Sequence, residues 1–89
     1  MIKYVIKGNR WFAKTYGNTY HKVYITDAKT NKLIYESNIT YGYDDQYKQT
    51  AFSWLIEQGL FKKCNLHNHE LIRKQIFFNV SDVSREKDL

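Results

Sequence analysis

A single cysteine, Cys64, is the only thiol in the chain, and one thiol cannot close an intrachain disulfide. A disulfide-stapled scaffold is thereby excluded. The cysteine count fits a reducing compartment, so a cytoplasmic setting in a host cell cytosol is expected. Long apolar runs are missing too. No stretch approaches the roughly 20 apolar residues that a spanning helix needs, and the opening MIKYVIKGNRW alternates without building a signal-peptide core. No membrane is therefore expected among the partners. Proline is absent, which decides little in 89 residues. Internal repeats, low-complexity tracts, a glycine-rich phosphate loop, a dinucleotide fingerprint and a nucleophile-serine turn are also absent. A chain of this length buries only about 60–65% of its unfolded surface, so a deep catalytic cleft is not expected, and the chain reads as a non-enzyme without a cofactor.

Acidic residues are scarce where basic ones are dense. Residues 1–32 hold Lys3, Lys7, Arg10, Lys14, Lys22, Lys29 and Lys32 against Asp27 alone, seven minus one or +6. Residues 33–89 carry seven basic and eight acidic groups, or −1, which together make the net charge of +5. One face or end should be electropositive and suited to anionic partners, nucleic acid or an acidic protein surface. Aromatics are abundant: eight tyrosines, five phenylalanines, Trp11 and Trp54. Exposed tyrosine suits interfaces because it offers large area, a hydroxyl and few rotors. For any single tyrosine, packing in a small aromatic-rich core is the plainer reading.

The strongest helical signal runs from Thr40 to Leu60. Tyr47, Ala51, Trp54, Leu55 and Gln58 recur at helical spacing, with Phe52, Ile56 and Leu60 widening the stripe. Asp44 or Asp45 should cap the start and Gly59 should end it, giving a core helix over Asp45–Gln58 that needs a sheet to cover. Before it, Ile2–Lys7 alternates as a strand, Gly8 and Asn9 break it, and adjacent Trp11 and Phe12 suggest an irregular stretch over Arg10–Tyr16. Gly17-Asn18 is a turn signal leading into a strand over Thr19–Thr26. Its core face is His21, Val23 and Ile25, and its other face is Tyr20, Lys22 and Tyr24. Asp27–Lys32 has turn composition, with Asn31 tolerant of positive φ. Leu33–Ile39 reads as the return strand, facing the core with Leu33, Tyr35 and Ile39.

After the helix, Phe61–Glu70 reads as a polar connection and Leu71–Val80 as a fourth strand with Ile72, Ile76, Phe78 and Val80 on one face, Lys74 being the exception. The expectation is one α+β domain over residues 1–80, followed by a flexible charged tail over 81–89. Its order is β-β-β-α-β, a small antiparallel sheet of three to four strands with the helix packed on one face. The other face would show lysine, tyrosine and histidine.

Cys64, His67 and His69 form C-x2-H-x-H, a start for zinc, but a structural site needs four ligands and only His21 or Glu70 remain to supply one. No metal is expected, and a solvated loop is the plainer reading. His67-Asn68-His69 does not match the HNH nucleases, whose histidines and asparagine are spread over a ββα-metal unit. The pair Asp44-Asp45 is better explained by capping than by acid–base chemistry. Cys64 lacks the orienting group and oxyanion loop of a nucleophile. What stands out is aromatic and basic interleaving: Arg10, Trp11, Lys14 and Tyr16, then Tyr20, Lys22 and Tyr24, with Tyr41 and Tyr43 in the loop before the helix. Such residues stack on bases and hold phosphates, or they anchor a protein contact. These nine are the candidate partner-binding residues.

The segments RWFAK and GNTYH (Gly17 to His21), together with YGYDDQYKQTA (Tyr41 to Ala51), resemble a pattern in small early proteins of phages and prophages. The resemblance covers about residues 2–60 and carries no catalytic motif. It implies a role against host defence, as in anti-CRISPR proteins, and assigns no functional residues. On that footing the expected partner is a host protein or nucleoprotein complex, with direct binding of DNA or RNA as the alternative. The chain itself is expected to be a monomer or homodimer.

Overall fold

The computed structural model describes residues 1–62 and 68–89. Its frame is a long hairpin. β1 (Tyr4–Ala13) and β2 (Asn18–Asp27) pair antiparallel in unbroken register from Tyr4 opposite Asp27 to Ala13 opposite Asn18. The amides of Tyr16 and Gly17 close the turn by donating to the Ala13 carbonyl at 3.1 and 2.8 Å. Gly17 takes φ +68°, backbone that glycine reaches at little steric cost.

The expected break at Gly8-Asn9 and the irregular stretch after it do not occur, because β1 runs through both. Gly8 belongs in the strand because the Tyr47 ring lies directly on its backbone: a Cβ there would sit 2.5 Å from Tyr47 Cδ2. Trp11 and Phe12 do point to opposite faces, as adjacent strand residues must.

β3 (Lys32–Glu36) and the two-residue β4 (Thr40–Tyr41) both pair antiparallel with β2. The turn before β3 forms as its composition indicates. Asp27 Oδ1 accepts from the Lys29 and Thr30 amides at 2.8 and 3.3 Å, and Asn31 has φ +61°. A bulge opposite Ile25 and Thr26 then shifts the alternation. Ile34 and Tyr35 both reach the core, while Leu33 and Ile39, expected there, stay about half exposed.

α1 (Gln46–Glu57) buries Tyr47, Ala51, Phe52 and Leu55 against Ile6, Val23 and Ile25 of the sheet. Trp54 sits at the margin, stacked on Tyr35 at 4.6 Å, and Gln58 and Leu60 are exposed. Gly59, at φ +73°, follows the helix end. Neither aspartate caps as expected: Asp45 occupies the N-cap without a side-chain bond, and Asp44 is in left-handed backbone at φ +51°. Phe61, assigned to a polar connection, is buried and stacks on Phe52 at 6.1 Å.

The largest correction lies beyond Asn68. Residues expected to open the fourth strand form α2 (His69–Gln75). Asn68 Oδ1 accepts from the Leu71 amide at 3.0 Å, and Glu70 pairs with Lys74 one turn on at 3.5 Å. This helix returns the chain to the end of the sheet where β1 begins. β5 (Ile76–Val83) therefore starts beside Tyr4 and runs parallel to β1, as a helical crossover permits. The fold is α+β, but the sheet is mixed, in the order β3-β2-β1-β5 with β4 beside β2.

Residues expected as a charged tail also carry regular elements. Ser81–Val83 complete β5, and a 3₁₀ turn at Glu86–Asp88 brings the Leu89 main-chain oxygen within 2.8 Å of the Tyr24 hydroxyl. Among the described residues, no helix is long and apolar enough to cross a membrane.

Candidate binding face

β-strand alternation sends Ile6, Gly8, Val23 and Ile25 under α1 and leaves the other face of the sheet uncovered by it. On that second face the pairing lines up Trp11 of β1, Tyr20 of β2 and Tyr41 of β4. Trp11 and Tyr20 stack at 5.9 Å, and Tyr20 meets Tyr41 edge-on at 5.8 Å, so three aromatics form one row across three strands. Lys22 and Tyr24 lie further along β2 on the same face. The Lys22 ammonium stands 5.5 Å from the Tyr24 ring centroid and 2.9 Å from the Glu36 carboxylate. The Glu36 hydrogen bond, aided by Tyr24 and opposed by burial, holds the Lys22 proton more tightly than in an ordinary lysine.

Two shallow grooves adjoin this row. One, of about 300 Å³, is lined by Trp11, Ala13, Tyr16, Tyr20, Ile39 and Glu86. The other is lined by Lys22, Ile39, Glu86, Lys87 and Leu89. The second exists because the final turn folds back toward β2, which the Tyr24–Leu89 hydrogen bond fixes. Ile39, Glu86 and Leu89 were not among the sequence candidates. Ile39 was assigned to the core by an alternation that ends with β3 at Glu36, and the last turn carries no pattern that announces where it docks.

The remaining candidates lie elsewhere. Lys14 is exposed in the β1–β2 turn. Arg10 and Tyr43 are on the α1 side of the sheet, past the start of that helix. There the Arg10 guanidinium grips Asp82 through Nε and Nη2 at 2.8 and 3.3 Å and donates from Nη1 to the Asp44 carbonyl at 3.1 Å. With Phe12, Thr19 and Tyr43 they border an open hollow of about 350 Å³. Arg10 thus ties β1, β5 and the loop before α1 together. The nine candidates thus separate: Trp11, Tyr20, Lys22, Tyr24 and Tyr41 share the row's face, Tyr16 borders its groove, Lys14 stands in the turn, and Arg10 and Tyr43 lie behind the row.

His21, on the core side as expected, is almost fully buried. Its Nδ1 is 3.2 Å from the Gly42 carbonyl oxygen and its Nε2 2.7 Å from Thr50 Oγ1. A carbonyl only accepts, so Nδ1 donates to Gly42, and Nε2 shares a hydrogen bond with the Thr50 hydroxyl, which also lies 3.4 Å from the Gln46 carbonyl oxygen. The ring thereby fastens the loop before α1 to the helix. Among the described residues no three His, Cys, Asp or Glu side chains gather as a metal site. His69 is exposed at the start of α2, and Cys64 and His67 lie outside the described residues. Comparison with models of known protein families, with curated proteins and with solved structures matched nothing.

Proposed function

We propose that the protein is a non-catalytic binding protein that engages a macromolecular partner with the sheet face α1 leaves uncovered. The row Trp11–Tyr20–Tyr41 carries this reading: three partly exposed aromatics are held in contact by strand pairing, with grooves alongside. Rigid aromatic anchors surrounded by groove walls are how small proteins concentrate binding energy. Cations here are few and partly offset: Lys22 is paired with Glu36, Glu86 borders both grooves, and Lys7 and Lys87 are the others on or beside this face. That favours a protein or nucleoprotein surface over bare phosphate. The resemblance of the GNTYH and YGYDDQYKQTA segments to small phage proteins makes inhibition of a host defence complex, as by anti-CRISPR proteins, the specific form of this proposal.

The test is capture of partners from bacterial lysate, with and without nuclease, comparing the native chain with Tyr20→Ser/Tyr41→Ser. A protein retained after nuclease by the native chain and lost by the variant is the expected result. Capture that is unchanged in the variant would remove the row from the site. The second reading, direct binding of single-stranded nucleic acid, is favoured by the interleaving of Lys22 with Tyr20 and Tyr24. It would be promoted by recovery of nucleic acid alone.

A further inference from the structure

The two edges of the sheet are built differently. One edge is shared by the five-residue β3 and the two-residue β4, is interrupted by a bulge in the pairing with β2, and carries Lys32 and Glu36. Short strands, bulges and charges are the devices that keep an edge from pairing with another chain. The other edge is β5, eight residues in regular register with β1 throughout. Its sequence IFFNVSDV has no proline and no lysine. Its single charge, Asp82, is turned onto Arg10 of the next strand inward. Phe77 is 55% and Val80 38% exposed, one on each face of the sheet beside this edge. Among the described residues no strand pairs with the outer side of β5.

We propose that β5 is the interface of a homodimer, two copies pairing β5 to β5 antiparallel across this edge. The charges flanking the strand select both the partner and the direction. Arg73 and Lys74 outnumber Glu70 in α2 just before β5, while Asp82, Glu86 and Asp88 outnumber Arg85 and Lys87 at and beyond its other end. Antiparallel pairing with a second copy brings the basic end of each strand to the acidic end of the other, whereas parallel pairing would set like charges together. A two-fold axis relating such strands runs normal to the sheet, so both copies present the same face on the same side. The product is one continuous sheet with order β3-β2-β1-β5-β5-β1-β2-β3. The two Phe77 side chains lie along its central seam, toward opposite ends, on the face that carries the two aromatic rows. This inference is independent of what the row binds.

The experiment is sedimentation equilibrium of the full chain over a micromolar concentration series, with Phe77→Lys/Asn79→Lys and, as a control on the other edge, Leu33→Lys. The native chain and the control should approach twice the monomer mass of 10.7 kDa. Phe77→Lys/Asn79→Lys should stay at the monomer mass with native circular dichroism. A native chain that remains monomeric overturns the proposal, as does a dimer that survives the β5 substitutions. Hydrogen exchange on the native protein covers the case of a misfolded variant. Alternate β5 amides, those aimed away from β1, should gain protection as concentration rises, and a dimer without that gain would have another interface.

Discussion

Gly8 shows how one residue can be misread when its partner is far away in sequence. In the chain it interrupts an alternating strand, and glycine there signals a break. In the fold it is the floor on which Tyr47 rests, and a methyl group would meet Tyr47 Cδ2 and Cγ at 2.5 and 2.6 Å. Gly8→Ala should therefore lower stability by about 1–3 kcal/mol through overpacking, measured by urea denaturation. Tyr47→Leu should recover part of that loss in the double variant, because a smaller side chain yields the space.

Tyr47 also sets an alkaline limit. Burial, with Asp45 adding and Arg10 opposing, raises its phenol above the ordinary value of 10.0. Lys22 is raised above 10.5 by its hydrogen bond to Glu36. Both groups hold their protons more tightly folded than unfolded. Their contributions are complete below the unfolded values and are lost as pH rises through the folded ones. Stability should fall above about pH 10, and the fall should be shallower in Tyr47→Phe. A Tyr47→Phe profile parallel to the native one would show that the phenol is not the titrating group.

At the level of elements, the helix α1 was legible because four of its stripe positions, Tyr47, Ala51, Phe52 and Leu55, are the ones the core takes up. Its cap was not. The pair Asp44-Asp45 has the right composition, but the Arg10 guanidinium and Gly42 hold the loop in a conformation that leaves Asp45 without a cap bond. Asn68, by contrast, reads as loop and does cap α2. Asn68→Ala should cost about 1 kcal/mol and Asp45→Ala only a few tenths, roughly the difference between a made and an unmade cap bond. Equal losses in thermal melts would contradict that assignment. The misreading of Leu71–Gln75 as strand has the same origin, for Leu71, Ile72 and Ile76 fit a helix followed by a strand as well as one alternating run. Short apolar patterns do not settle the period, and the cap and the Glu70–Lys74 pair decide it.

For the whole molecule, alternation along β2 was enough to assign His21, Val23 and Ile25 inward and Tyr20, Lys22 and Tyr24 outward, and the fold places them so. Long-range pairing was not readable, and it is what separates Arg10 from Trp11, brings Tyr41 to Tyr20 and folds Leu89 onto Tyr24. It also changes what the net charge means. Of the seven basic residues in the first third, Lys3, Lys29 and Lys32 lie at the distal end of the hairpin, Lys14 is in the near turn, and Arg10 is bound to Asp82. Lys7 and Lys22 are the two from that third on the aromatic face, where Lys7 lies opposite Tyr24. Two cations neutralise at most two phosphates. Binding of oligothymidylate through this face should then weaken with log salt at a slope no steeper than about −1.4, taking 0.7 per phosphate for single strands. Fluorescence titrations of Trp11 in a Trp54→Phe background would measure it. A steeper slope would mean that the turns at both ends of the hairpin grip the strand, and would move the nucleic-acid site away from the aromatic row.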